Sequence, residues 1–145
     1  MERELRYVIY INALPNRVAQ ALRDGQPIVA VIPGSELRST FETGAEYAYV
    51  GRGPDGSEMK YVFGKVLASD GDRRLQMTYR TAANPAESRV TYELEPVADK
   101  YTKLSVVQDR FAGDDPNYAA NETGWPQLLS NLKSFIETGT VMKYH

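Results

Sequence analysis

The chain of 145 residues contains no cysteine, one tryptophan and one histidine. Without cysteine there is no disulfide, no thiolate metal site and no cysteine nucleophile, and the absence fits a reducing compartment. The histidine is the last residue, His145, more a tail than a general base, so a histidine-based triad or metal site has nothing to build on. The residues call for no cofactor. There is no run of basic residues, and 17 Lys+Arg against 19 Asp+Glu leave a formal charge of −2. Such a chain has no field to gather phosphates, which leaves nucleic acid out as a partner. No apolar run approaches the ~18 residues of a membrane helix, and Met1-Glu2-Arg3-Glu4 is too charged for a signal peptide. The expectation is one domain over residues 1–145, cytoplasmic, with no membrane insertion, as a monomer or weak homodimer.

What is present is mostly alternation. Leu5 to Asn12 reads as a strand of β-formers, and Pro15 to Arg23 as a short helix with Val18, Ala21 and Leu22 on one face and Asp24-Gly25 as its stop. Two prolines then bracket the apolar run Pro27-Ile28-Val29-Ala30-Val31-Ile32-Pro33, which allows a helical turn or two at most and reads as an apolar flap. From Leu37 to Phe111 the period is two, and six strands are expected, at 37–43, 45–50, 59–69, 73–81, 88–95 and 101–111. Turn sequences such as Pro54-Asp55-Gly56 and Asp70-Gly71-Asp72 separate them, so they form an antiparallel meander. Val90, Tyr92 and Leu94 oppose Arg89, Thr91 and Glu93, giving a dry face and a wet one. Finally Trp125, Leu128, Leu129, Leu132, Phe135 and Ile136 fall on one face of a long amphipathic helix stopped by Gly139. A long helix across a curved antiparallel sheet is an α+β sandwich with space between its layers.

No catalytic constellation stands out. Gly51-Arg52-Gly53-Pro54-Asp55-Gly56 matches a dinucleotide-binding pattern, but strand follows strand there and a hairpin is the better reading. Glu42, Glu46, Asp109, Asp114 and Asp115 show no ligand spacing and read as solvated charges. The aromatics carry more information. Tyr47 with Tyr49, Tyr61 with Phe63, and Met77 with Tyr79 each share a strand face, so neighbouring strands are candidates for a continuous aromatic wall. Gln108 shares its face with Leu104 and Val106 and is a polar group aimed inward, a candidate for orienting a ligand hydroxyl or carbonyl.

An ordered series of motifs carries a resemblance over nearly the whole chain: Asn16-Arg17-Val18-Ala19-Gln20-Ala21-Leu22, Phe63-Gly64-Lys65-Val66-Leu67, Arg74-Leu75, Ser88 to Pro96, and Gly124-Trp125-Pro126 through Leu132-Lys133 to Glu137-Thr138-Gly139. These residues resemble the START-like SRPBCC superfamily, in its branch of activator-of-heat-shock-chaperone-ATPase homologues. The resemblance implies a helix-grip fold, with a sheet of about seven strands around a long C-terminal helix, two short helical segments and a hydrophobic cavity. Members bind lipids, sterols, hormones or polyketides, and a few are cyclases or hydrolases. Two departures from the family pattern fall at pocket positions: Ala19 stands where a bulky aromatic is usual, and the flap replaces a second helix. They point to a re-specified pocket, whether by divergence or by engineering.

The expectation is a non-catalytic protein that binds a large, mostly apolar molecule, such as a sterol, secosteroid, terpenoid or polyketide. Its cavity would be lined by Ala19, Ile28, Val31, Ile32, Tyr47, Tyr49, Tyr61, Phe63, Met77, Tyr79, Gln108, Trp125, Leu128, Leu129 and Leu132. The alternatives are a START-like cyclase or hydrolase, and a regulatory module that binds a chaperone.

Overall fold

The computed structural model describes residues 3–25 and 35–140. The flap residues Ile28, Val31 and Ile32, the helical segment expected around them, and His145 lie outside the described residues. Among the described residues, seven strands and two helices follow in the order β1 (Leu5–Ile11), α1 (Pro15–Asp24), β2 (Glu36–Arg38), β3 (Glu46–Arg52), β4 (Glu58–Asp70), β5 (Arg74–Thr81), β6 (Ser88–Val97), β7 (Tyr101–Asp109) and α2 (Pro116–Thr138). The strands form one antiparallel sheet in the order β1-β7-β6-β5-β4-β3-β2. The meander from β2 to β7 is therefore as expected, with the first strand returning beside the last.

Alternation fixes the faces. Ile9 pairs with Leu104, Leu104 with Leu94, Tyr92 with Val106, Leu75 with Tyr92, and Met77 with Val90, so one row of cross-strand partners builds the dry face. Leu104 and Val106 are fully covered, and Trp125, Leu129 and Leu132 of α2 pack into the same core. The Pro54-Asp55-Gly56 segment is the β3–β4 turn, where the Gly53 N–H donates to Ser57 O at 2.8 Å.

Two boundaries differ most from the sequence reading. The 37–43 strand shrinks to Glu36–Arg38, since Ser39 turns its hydroxyl back onto Glu46 O at 2.8 Å and Phe41 takes a left-handed φ of 57°. Helix α2 begins nine residues before Trp125. Asp115 caps it, its side chain accepting the Asn117 N–H at 2.8 Å, and Pro116 occupies the first turn, where no N–H is needed. Pro126 lies inside the helix and leaves the carbonyl four residues back without its usual donor. That carbonyl, Glu122 O, accepts instead from the Tyr7 hydroxyl at 3.1 Å, which ties α2 to β1. Lys133 Nζ donates to Tyr10 O at 2.6 Å and Glu137 accepts the Asn12 N–H at 2.7 Å, so α2 also occupies part of the open edge of β1.

Candidate functional site

Between sheet and helix lies a cavity of about 20 Å³, lined by Leu22 and Gly25 of the α1 end, Tyr49 of β3, Tyr92 of β6, and Trp125, Leu128, Leu129 and Leu132 of α2. Each wall follows from the pattern that built its element. Tyr49 and Tyr92 sit at inward positions of their strands, and the four α2 residues are the apolar stripe of that helix. Gly25 ends α1 with a φ of +70°, and a Cβ there would stand 2.7 Å from the Leu37 Cβ and 3.0 Å from Tyr49 Cε1. Glycine is required for both reasons, and its bare backbone presses on the Tyr49 ring.

Four tyrosines gather on this face, with two different fates. Tyr47 donates to Thr78 O at 2.6 Å. This bond exists because β4 carries Gly64 opposite Tyr47, where a Cβ would approach Thr78 O to 2.3 Å, and because the Lys65 N–H is taken by Thr78 Oγ1 at 2.8 Å. Tyr79 is held by Asn121. The hydroxyls of Tyr49 and Tyr92 make no hydrogen bond among the described residues, although the two residues are only 7% and 6% exposed. Burial raises the pKa of both, and neighbouring phenols add to it: Tyr79 acts on Tyr49, and Tyr49 and Tyr79 act on Tyr92. Both are neutral O–H donors at any physiological pH. The rings are fixed, Tyr49 edge-on to Tyr47 at 6.5 Å and Tyr92 edge-on to Trp125 at 6.0 Å.

Gln108 is inward and fully buried, as expected, but its groups are engaged within the protein. Its Nε2 donates to Ser88 Oγ at 3.0 Å, and its Oε1 accepts from Trp125 Nε1 at 2.7 Å and from Asn121 Nδ2 at 2.9 Å. It clamps β7 to β6 and to α2, and thereby holds Trp125 against Tyr92.

Of the expected lining, Tyr49, Trp125, Leu128, Leu129 and Leu132 meet at the cavity. Tyr47, Met77 and Tyr79 back it from the core. Ala19 is buried in the core but outside the cavity lining; Leu22, one turn on, is the α1 residue that faces it. Phe63 does not join the wall, because it pairs with Ala48, out of step with Tyr47 and Tyr49, and so points to the opposite face. Tyr61 sits at the β3–β4 register shift, covers Gly51 and donates to Arg52 O, away from the cavity. Tyr92 was missed as a site residue. Its inward phase was visible, and what was not visible was that it lacks a partner for its hydroxyl.

A second hollow, larger and open, holds about 500 Å³ over β3, β4 and β5, among Phe63, Leu67, Lys60, Lys65, Arg80 and Glu87, with Tyr47 and Gly64 in its floor. Size favours this cleft and chemistry favours the interior. Some of the cleft's polar groups already serve one another: Arg80 meets Glu87 at 2.5 Å, and Thr78 is used by the Lys65 N–H and by Tyr47. Among the described residues no cluster of acidic or histidine side chains is placed to hold a metal, and no helix is long and apolar enough to cross a membrane.

Comparison with known families decides the affiliation. The model of the family described as Activator of Hsp90 ATPase homolog 1-like protein matches residues 12–137. The chain belongs to this family. Solved structures agree on the fold. The Aha1 dimer from Colwellia psychrerythraea is similar at 16% identity with a TM-score of 0.73, over 95% of this chain and 98% of that one. CalU16 from Micromonospora echinospora is similar at 19% identity with a TM-score of 0.70, over 95% and 78% of the two chains. DynU16, encoded in the dynemicin biosynthetic locus, is similar at 22% identity with a TM-score of 0.74, over 97% of this chain and 49% of that one. No curated protein matches the chain. The family and the helix-grip architecture are thus as the motifs implied.

Proposed function

We propose that this protein binds a large, mostly apolar small molecule between its sheet and α2, in the space bounded by Tyr49, Tyr92 and Trp125. The observation that carries this reading is a pair of largely buried tyrosines, Tyr49 and Tyr92, that line an otherwise apolar cavity and whose hydroxyls make no hydrogen bond among the described residues. A ligand group that accepts from such a hydroxyl gains a hydrogen bond worth about 0.5–1.5 kcal/mol. A volume of about 20 Å³ suits one water-sized body, so a larger molecule enters as side chains move aside. Leu22 and Leu128, the half-buried members of the lining, are the ones with room to do so. Sterols, secosteroids, terpenoids and polyketides remain the classes to screen, and one structural neighbour, DynU16, is described as a protein of the dynemicin biosynthetic locus. A cyclase or hydrolase needs a base, and the described lining offers phenols, an indole and leucines. In solution the chain is a monomer or weak homodimer; the Colwellia neighbour is described as a dimer, and Val8 and Tyr10 of β1 are about half exposed.

Thermal unfolding against a library of these classes tests the reading. A ligand at a hundred times its Kd adds about 2.7 kcal/mol, which for a chain of this length raises Tm by roughly 8 °C. Leu128→Trp, which fills the cavity from α2, should keep the fold and abolish the shift. Shifts that persist undiminished in Leu128→Trp would place binding elsewhere.

A further inference from the structure

Tyr49 and Tyr92 constrain more than the place of binding. Both line one cavity with a neutral O–H that makes no hydrogen bond among the described residues, both rings meet an aromatic neighbour edge-on, and those neighbours are themselves tied down, Tyr47 by Thr78 O and Trp125 by Gln108. Donors held this way lose little freedom when an acceptor arrives. No cation lies among the described lining residues, so a carboxylate or phosphate would be buried without a counter-charge, at a cost that two phenols do not offset. An alcohol can accept from the phenols, but it brings a proton of its own into a site with no described acceptor. A carbonyl oxygen brings two lone pairs and no proton, which matches two donors.

Resting on the binding reading above, we infer that the ligand is an uncharged carbonyl compound, a ketone, quinone, ester or lactone on an apolar skeleton, whose oxygen is seated between Tyr49 and Tyr92. The hydroxyls select the functional group; the leucines and Trp125 accept the skeleton.

Four naphthalene probes differ only in the group offered: β-acetonaphthone, β-isopropylnaphthalene, the corresponding naphthylethanol, and β-naphthoate. Binding to the wild-type protein and to the Tyr49→Phe, Tyr92→Phe and doubly substituted variants is followed by quenching of Trp125 fluorescence. The ketone should bind at least about fivefold more tightly than the isopropyl compound, the alcohol should fall between them, and naphthoate should bind weakest. The double variant should bind ketone and hydrocarbon equally, and the infrared carbonyl stretch of the bound ketone should lie lower in the wild-type protein than in that variant. Equal affinity for ketone and hydrocarbon in the wild type, or a preference for naphthoate or the alcohol, would overturn this inference and leave the binding reading standing. No saturable binding of any probe would overturn both.

Discussion

The two ends of the interior differ in how they treat polar groups. At one end Gln108 is buried with its donor and its acceptor both used, by Ser88, Trp125 and Asn121, and the result is a clamp between sheet and helix. At the other, Tyr49 and Tyr92 are buried almost as deeply with their hydroxyls unused. Burial alone therefore does not mark a binding group; the missing partner does. A paired polar residue contributes to stability, whereas a hydroxyl with no protein partner on an apolar cavity is left for a ligand to meet.

Gln108→Leu breaks the first half of this comparison most severely. It leaves the Trp125 N–H without its partner and removes one from the Asn121 amide and from the Ser88 hydroxyl, and should cost about 3 kcal/mol, read as a lower urea midpoint with an unchanged slope. A ligand-orienting Gln108 would instead give a stable variant with weakened binding. Ala19→Trp comes next. Ala19 is 4% exposed and packed in the core rather than at the cavity, so the larger ring should destabilise the protein by about 2 kcal/mol, where a cavity-facing alanine would gain stability from the same change. Tyr47→Phe, which strands Thr78 O, should cost about 1 kcal/mol.

Tyr49→Phe and Tyr92→Phe sharpen the contrast by costing almost nothing. With no described partner to lose, each should leave unliganded stability within about 0.5 kcal/mol of wild type. Their effect belongs at high pH. The folded pKa of each hydroxyl is raised, so below about pH 10 the proton is held in both folded and unfolded chains and stability is flat. Above it only the unfolded chain ionises, and stability falls as pH rises. Each substitution should move the onset of alkaline unfolding upward, with tyrosinate absorbance for these residues appearing only as the protein unfolds.

Much of the fold was legible because its signals are periodic. Alternation gave the meander and its dry face, and the α2 stripe from Trp125 to Ile136 gave the helix that packs on it. Pairing was not legible. Phe63 looks equivalent to Tyr49 in a strand pattern, yet its cross-strand partner Ala48 puts it on the other face. The first turns of α2 were hidden because Gly124 and Pro126 suppress the helical signal, and only the Tyr7 hydroxyl on Glu122 O shows how the proline is accommodated. Gln108 could be assigned inward from sequence, but whether its amide met ligand or protein depended on α2 residues 13 and 17 positions away. The unpaired state of Tyr92 depends on the same tertiary facts.

The most direct test of the account is a nuclear magnetic resonance titration of the wild-type protein with β-acetonaphthone. The account predicts that the largest shifts fall on Leu22, Tyr49, Tyr92, Trp125, Leu128 and Leu132, while Phe63, Leu67 and Lys65 around the open cleft stay unchanged. Shifts concentrated on the cleft, with the Tyr49 and Tyr92 signals unmoved at saturation, would contradict it.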